Sequence, residues 1–233
     1  MLRTNTELIR KVGNQILQNH SNTKKLNLSE DNIIEWIRCH DNPLYYIHNY
    51  VKFEITGGIS SYKEDNNFHH KLKRYVRSAF RYHNVELMAS RQLGKSSISA
   101  GYIDWAIRFY PREKAIILNF KKESAMENLS KVRFINTQLP DFLSLDPLSK
   151  SDIKTYLTFS NGSEVKVFYP TTVHTKDTIA RSLTAPILYI DEPSFIPDMK
   201  NVFGAAQPIL STAREQAQKN GYPYAILLTA TPK

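Results

Sequence analysis

The sequence has little cysteine, no long apolar run and no excess of acidic residues. Its single cysteine, Cys39, excludes an intrachain disulfide among the 233 residues. No apolar run approaches the roughly 20 residues needed to cross a bilayer. The segment from Met1 to His20 is polar and basic, without the apolar core of a secretory signal. We therefore expect no disulfide and no membrane segment, in keeping with a reducing cytosol.

The proportions of apolar and basic residues indicate which class of protein the chain belongs to and what kind of partner it favours. Hydrophobic residues make up 41% of the chain and charged residues 23%, which is typical of a globular domain. The formal net charge is +9, from 31 Lys and Arg against 22 Asp and Glu. Such a balance favours polyanionic partners such as nucleic acid. Charge alone does not separate nucleic-acid binding from a merely basic, solvated surface.

Strand-like and helix-like patterns alternate along the chain from residue 84 onward. Apolar runs of strand length occupy 85–88, 115–119, 187–190 and 225–229, and helical patterns lie at 96–109, 121–138 and 199–219, with a break expected at Pro208. Asn161-Gly162 predicts a β-hairpin. The first 50 residues read as helical, except that the aromatic segment 43–51 is predicted to be extended. Alternation of this kind indicates an α/β fold with a mainly parallel sheet.

A phosphate-binding loop is predicted between the first of these strands and the helix after it. The sequence there is Ser90-Arg91-Gln92-Leu93-Gly94-Lys95-Ser96, and Ser97 follows. Backbone N–H groups of such a loop and of the helix N-terminus bind phosphate oxygens. Lys95 is expected to reach the β- and γ-phosphates of a nucleotide, and the Ser96 hydroxyl to ligate Mg²⁺. Ala89 departs from the motif, which has glycine at that position.

Two acidic residues follow the apolar run Ile187 to Ile190. In a parallel sheet, the carboxyl end of a strand opens onto the ligand crevice. Asp191 is expected there to hold Mg²⁺ through its water shell. Glu192 is expected to orient and deprotonate the water that attacks the γ-phosphate.

These motifs together resemble the large terminase subunits of tailed bacteriophages, which package DNA into capsids. Residues 90–96 resemble that family's divergent Walker A loop, and 190–197 resemble its Walker B strand and the segment after it. Thr229-Ala230-Thr231 is similar to its coupling motif. The resemblance implies a P-loop NTPase fold of the ASCE/RecA-like kind, with a mainly parallel sheet flanked by helices and a small helical N-terminal region. Residues 1–60 would form the helical or lid region, and 61–233 the ATPase core.

The resemblance also implies roles for particular residues. Arg91 matches the family's cis-acting arginine finger, and Arg181 lies where the family has another arginine near ATP, acting in cis or on a neighbouring subunit. Thr229, Ala230 and Thr231 would relay the state of the γ-phosphate. Before the loop, the segment 67–71 lacks the glutamine with which the family contacts adenine, so base recognition stays unassigned.

The implied activity is that of an ATP-hydrolysing motor that uses ATP and Mg²⁺ to move double-stranded DNA into a capsid. The implied partners are the portal protein and the small terminase subunit, with a homo-oligomeric ring as the working form. The implied location is the cytoplasm of an infected bacterium and, transiently, the procapsid. The family's large subunits continue into an RNase H-like nuclease domain, and no nuclease residue or activity is expected in the 233 residues.

Two other functions are compatible with the same motifs. A helicase shares the Walker pair and a Ser/Thr-Ala-Thr turn, although helicases generally lack an arginine at the position of Arg91. A nucleotide-regulated DNA-binding or assembly module would bind ATP but hydrolyse it negligibly. Glu192 argues against such a module, because a protein that does not hydrolyse ATP has no need of that base.

Overall fold

A computed structural model describes residues 6–18, 28–64, 68–148, 155–169 and 184–232 of the chain. Seven α-helices lie in these ranges: α1 Thr6–Gln18, α2 Glu30–Asp41, α3 Pro43–Tyr50, α4 His70–Tyr82, α5 Lys95–Phe109, α6 Lys122–Thr137 and α7 Met199–Lys219. The eight strands are β1 Lys52–Ile55, β2 Gly58–Ser61, β3 Asn84–Met88, β4 Lys114–Leu118, β5 Tyr156–Thr158, β6 Glu164–Phe168, β7 Ile187–Asp191 and β8 Ala225–Ala230. A 3₁₀ helix, Pro193–Phe195, follows β7.

Six strands form the central sheet in the order β3-β8-β7-β4-β6-β5. All neighbouring pairs are parallel except β5 with β6. The strands β4 and β7 are buried along almost their whole length, as expected of strands covered on both faces. The mainly parallel α/β sheet flanked by helices confirms the fold predicted from the sequence.

The order of the strands determines which residues meet at the sheet edge. Strand β8 lies between β3, which leads into the predicted phosphate loop, and β7, which ends in the acidic pair. The register aligns Met88 with Ala230 and Asp191 with Thr229. The carboxyl ends of β3, β8 and β7 therefore carry the loop, the predicted coupling motif and the acidic pair side by side.

The aromatic segment after Asp41 is a helix, so the prediction that it is extended is wrong. Asn42 caps α3 by accepting a hydrogen bond from the Tyr45 N–H at 3.0 Å, and Pro43 occupies the first helical turn. An asparagine cap followed by proline is a helix-start signal that outweighs the β preference of the aromatic residues after it.

Helix α3 packs closely against α5 and joins it through a buried polar network. A Cβ added at Gly101 would lie 3.3 Å from the Ile47 side chain, so glycine permits this close approach. Asp104 and Arg108 form a fully buried ion pair at 2.7 Å, and Tyr46 donates a hydrogen bond to Asp104. The N-terminal helices and the helices and strands of the central sheet thus share one hydrophobic core.

The other local predictions have mixed outcomes. The hairpin at Asn161-Gly162 is confirmed, since β5 and β6 pair antiparallel and Gly162 has a φ of 81°. The expected break at Pro208 is wrong, because α7 continues through it. A proline removes the hydrogen bond that its N–H would donate to the carbonyl of the residue four positions earlier. That residue is Gly204, which is exposed, so water can satisfy its carbonyl. Within the described ranges, none of the helices is both long and apolar enough to cross a bilayer.

Candidate ATPase site

The predicted phosphate loop connects the end of β3 to the first residue of α5, as expected. Gly94 caps α5 with a φ of 82°, and Gln92 also has a positive φ, 64°. Gly94 has no side chain that could accept hydrogen bonds, so the first N–H groups of α5 donate to no capping side chain. A helix N-terminus of this kind favours an anion. Ala89 is buried at the end of β3, and its N–H donates to the Ala230 carbonyl at 3.1 Å.

The Lys95 ammonium group lies at the centre of the site. Only 8% of this residue is exposed, and its Nζ donates to the carbonyls of Ala89 at 2.7 Å and Ala230 at 3.1 Å. It also donates to the Thr231 hydroxyl at 2.8 Å and lies 3.7 Å from a Glu192 carboxylate oxygen. The Lys95 ammonium group therefore links the end of β3 with the predicted coupling motif and the predicted base.

Glu192 is held in a strained backbone conformation directly after β7. Its φ of 51° and ψ of 58° lie in the left-handed region, which is unfavourable for a residue with a side chain. Its N–H donates to the Thr229 carbonyl at 2.8 Å. Its carboxylate accepts hydrogen bonds from the Thr231 N–H at 3.0 Å and from the Thr231 hydroxyl. The predicted base and coupling motif are thus in direct contact.

Three neutral donors hold the Asp191 carboxylate. Oδ1 accepts from the Thr229 hydroxyl at 2.7 Å, while Oδ2 accepts from the side-chain amides of Asn119 at 3.2 Å and Asn128 at 3.1 Å. Sequence reasoning missed the two asparagines. Asn119 had a recognisable signal, a polar residue at the carboxyl end of the buried strand β4, whereas Asn128 lies within α6 and carried none.

Two chains of hydroxyl groups extend from the site, one from Asp191 through Thr229 and the other from the Lys95 carbonyl through Ser99. The Tyr189 hydroxyl lies 2.9 Å from that of Thr229, and burial holds the pKa of Tyr189 well above its usual value. Tyr75 reaches in from α4, with its hydroxyl 3.0 Å from Ser99, which in turn donates to the Lys95 carbonyl at 3.0 Å. Burial raises the Tyr75 pKa as well. Both tyrosines therefore stay neutral and act as hydrogen-bonding groups.

The predicted residues differ in how far the structure brings them together. Lys95, Asp191 and Glu192 lie side by side with the three residues of the predicted coupling motif, Thr229, Ala230 and Thr231. Ser90, Arg91 and Gln92 are exposed, and Arg91 has no hydrogen bond or ion pair with any described residue. Ser97 lines a small cavity with Phe53 and Lys131. Arg181 lies outside the described residues.

The donors at this edge of the sheet fit a magnesium–nucleotide complex. Lys95 and the uncapped N-terminus of α5 are suited to phosphate, and Ser96 and Asp191 offer the oxygen ligands that Mg²⁺ prefers. Across the described residues there is no group of three or more His, Cys, Asp or Glu side chains placed to hold a metal ion.

The strand order and the loop together define a P-loop NTPase fold. The structure is similar to that of the large terminase of bacteriophage HK97, with a TM-score of 0.54 and 13% identity, over 82% of this chain and 37% of that one. It is also similar to the large terminase of a thermophilic bacteriophage, with a TM-score of 0.51 and 14% identity, over 70% of this chain and 39% of that one. At these identities the likeness establishes the fold.

The matched region is less than two fifths of the length of either terminase. The sequence matches no model of a known protein family. The likeness to these two terminases confirms, at the level of structure, the resemblance inferred from the motifs. The roles of individual residues stay predictions.

Proposed function

We propose that this chain is the ATPase motor domain of a terminase large subunit, which couples hydrolysis of Mg-ATP to movement of double-stranded DNA into a viral capsid. The observation that carries the proposal is the direct contact among Lys95, Glu192 and Thr231. A phosphate-binding lysine, a base and a residue of the coupling motif share one hydrogen-bonded cluster. In such a cluster, hydrolysis of ATP would change the contacts of the coupling motif, and that change would be transmitted as movement.

Nucleotide binding is assigned to the loop from Ser90 to Ser97. Its backbone N–H groups and the Lys95 ammonium would hold the phosphates of ATP. Ser96 and Asp191 would hold Mg²⁺, which supplies neutralisation of phosphate charge when bound. Because Asp191 already accepts three hydrogen bonds, it suits contact with the cation through water.

Hydrolysis is assigned to Glu192. Its carboxylate would orient a water molecule and accept its proton while the water oxygen bonds to the γ-phosphorus and the bond to the β–γ bridging oxygen breaks. Charge that develops on the leaving phosphate would be neutralised by Lys95 and by Arg91, whose exposed position leaves it able to turn toward a nucleotide. Arg181 is proposed to add a second guanidinium, in cis or to a neighbouring subunit.

Coupling follows from the competition for Glu192 and Lys95. A γ-phosphate would compete with Thr231 for Lys95, and the attacking water would compete with Thr231 for Glu192. Both changes release Thr231 from its present partners. Thr229, Ala230 and Thr231 would then shift with the state of the nucleotide and transmit that shift to the part of the motor that holds DNA.

The proposed partners follow from the same assignment. They are double-stranded DNA, the portal protein and the small terminase subunit, with a homo-oligomeric ring as the working form. The proposed location is the cytoplasm of an infected bacterium, with transient attachment to the procapsid. The alternative within enzymes is another nucleic-acid translocase such as a helicase. The alternative of a different class is a nucleotide-regulated DNA-binding module.

Phosphate release with and without duplex DNA tests the proposal. We expect the wild type to hydrolyse ATP, and Glu192→Gln to lose turnover by a factor of about 100 or more while it still binds ATP. Glu164→Gln, a change of the same type at a partly buried residue of β6 that pairs with Lys114 and Lys166, is the matched control and should retain turnover. The assay is run at low and high protein concentration, because a ring would complete each site with a neighbour's arginine.

The outcomes separate the alternatives. Wild-type turnover by Glu192→Gln would remove the role of Glu192. A wild type that binds ATP at high protein concentration without releasing phosphate would favour the nucleotide-regulated module. Unwinding of a forked duplex by the active protein would favour the helicase.

A further inference from the structure

Helix α4 carries a strongly basic outer face. Between His70 and Tyr82 it has no acidic residue. Its buried side is apolar and aromatic, and is formed by Leu72, Tyr75, Val76 and Ala79. The opposite side carries Arg74, Arg77 and Arg81. Lys71 and Lys73 flank it, and the Lys73 ammonium lies 5.1 Å from the centre of the Phe68 ring. At 1.5 Å per residue, these charges extend over about 15 Å of helix.

None of the five cations of α4 forms an ion pair with a carboxylate in the described parts of the chain. Three lysines outside α4 do form such pairs: Lys114 and Lys166 both pair with Glu164, and Lys131 pairs with Glu127. The Lys and Arg side chains of α4, with no acidic residue among them, therefore concentrate positive charge on this face of the helix.

A groove of about 570 Å³ runs between α4 and the exposed edge of β3. Lys71 and Arg74 line it, together with Ser78 and the 65% exposed Tyr82. Glu86 is the one acidic side chain among the lining residues described. At one end the groove reaches Asn84, which accepts a hydrogen bond from Arg214 of α7 at 3.1 Å. Positive charge, hydroxyl groups and an exposed aromatic ring therefore share this surface.

The same helix contacts the candidate ATPase site through its buried side. The Tyr75 hydroxyl lies 3.0 Å from Ser99 in the second turn of α5. A Cβ added at Gly94 would lie 3.9 Å from Leu72. A ligand on the outer face of α4 would thus lie one helix diameter from the phosphate loop, about 10 Å.

We propose that the outer face of α4 and the adjoining groove bind the phosphodiester backbone of double-stranded DNA and that this contact stimulates hydrolysis. The proposal rests on the proposed function and adds the surface through which DNA reaches the motor. Unpaired arginines in a row suit successive phosphates, which are the commonest protein contacts to DNA. An exposed tyrosine beside them supplies a hydroxyl donor of the kind also found at phosphates.

The test compares the triple variant Arg74→Gln, Arg77→Gln, Arg81→Gln with the control Arg10→Gln, Lys11→Gln, Lys219→Gln. Both remove three exposed charges, but the control removes them from α1 and α7. Binding of a fluorescent duplex is measured by anisotropy from about 50 to 300 mM NaCl. Each phosphate contact contributes about 0.9 to the slope of log affinity against log salt, so the α4 variant should lose between 2 and 3 from that slope, and about 100-fold in affinity near 0.1 M salt.

The variant should keep its melting temperature and its basal phosphate release, and lose the stimulation of release by DNA. Equal losses in variant and control would overturn the proposal, because net charge alone would then explain them. Binding of polyglutamate as tightly as duplex DNA, with the same sensitivity to the α4 variant, would assign the face to an acidic protein instead. A wild type that binds no duplex would also overturn it. Loss of DNA binding by the α4 variant in a chain without turnover would support this surface while the proposed motor function fails.

Discussion

The residues with the clearest individual roles to test are Asn119 and Asn128. Their amides both donate to Oδ2 of Asp191, the carboxylate assigned to Mg²⁺. Removing groups that orient a metal-binding side chain typically lowers metal affinity by 10- to 100-fold. We expect the double variant Asn119→Ala, Asn128→Ala to need about tenfold more Mg²⁺ for half-maximal phosphate release. The measurement is a magnesium titration at saturating ATP.

Asn201 provides the matched control for this prediction. It is exposed on α7, and its amide donates to Asp198 at 2.7 Å, so Asn201→Ala removes the same type of hydrogen bond outside the cluster around Asp191. Its magnesium requirement should equal that of the wild type. If the double variant also titrated like the wild type, the asparagines would be structural and Asp191 would need no orientation.

At the scale of elements, the buried ion pair of α5 joins four parts of the molecule. Arg108 bonds Asp104 in its own helix, Tyr46 in α3, Asn136 in α6 and the Leu143 carbonyl. Arg108→Met would leave Asp104 as an unpaired charge in the core, at a cost of about 3 to 5 kcal/mol. Urea unfolding measures this cost. Arg38→Met, which breaks the exposed pair with Glu35, should lower stability far less, because exposed ion pairs contribute little. Equal stability of the two variants would contradict the argument.

The helices and strands also show which parts of the fold and of the candidate site can be predicted from the sequence. The alternation of buried strands and helices predicted the sheet, because its apolar runs are continuous and each is followed by a loop signal. Asp191 and Glu192 could be placed beside Lys95 because parallel strands bring their carboxyl ends to one edge. Asn128 could not be placed, since its role arises only when α6 packs against β4 and β6 and brings its amide to Asp191. The prediction that 43–51 is extended is wrong because the strand preference of aromatic residues is weaker than the helix start at Asn42 and Pro43.

At the scale of the whole molecule, Glu113 couples stability to pH. Only 2% of it is exposed, Oε2 has no hydrogen-bond partner among the described residues, and burial raises its pKa to about 7. The folded protein therefore holds this proton more tightly than the unfolded chain, whose value is 4.5. Stability is unaffected by Glu113 below about pH 4.5 and falls as pH rises toward 7. The full penalty above pH 7 is about 3 kcal/mol, a large share of a typical 5 to 15 kcal/mol.

Glu113→Gln removes the charge and keeps the shape, so its advantage over the wild type should grow with pH. We expect a gain in unfolding free energy of about 1 kcal/mol at pH 5 and about 3 kcal/mol at pH 8, from urea unfolding at both values. For Glu164→Gln, the difference in unfolding free energy from the wild type should change with pH in the opposite direction. Burial acts to raise the pKa of Glu164, but hydrogen bonds with Lys166 and Lys114 lower it below its usual value. Its charge is therefore stabilising above pH 4.5, and removing it should lower stability at pH 8 more than at acid pH. A gain for Glu113→Gln that is the same at pH 5 and pH 8 would mean that the carboxyl is solvated in the folded protein, contrary to its burial beside β4.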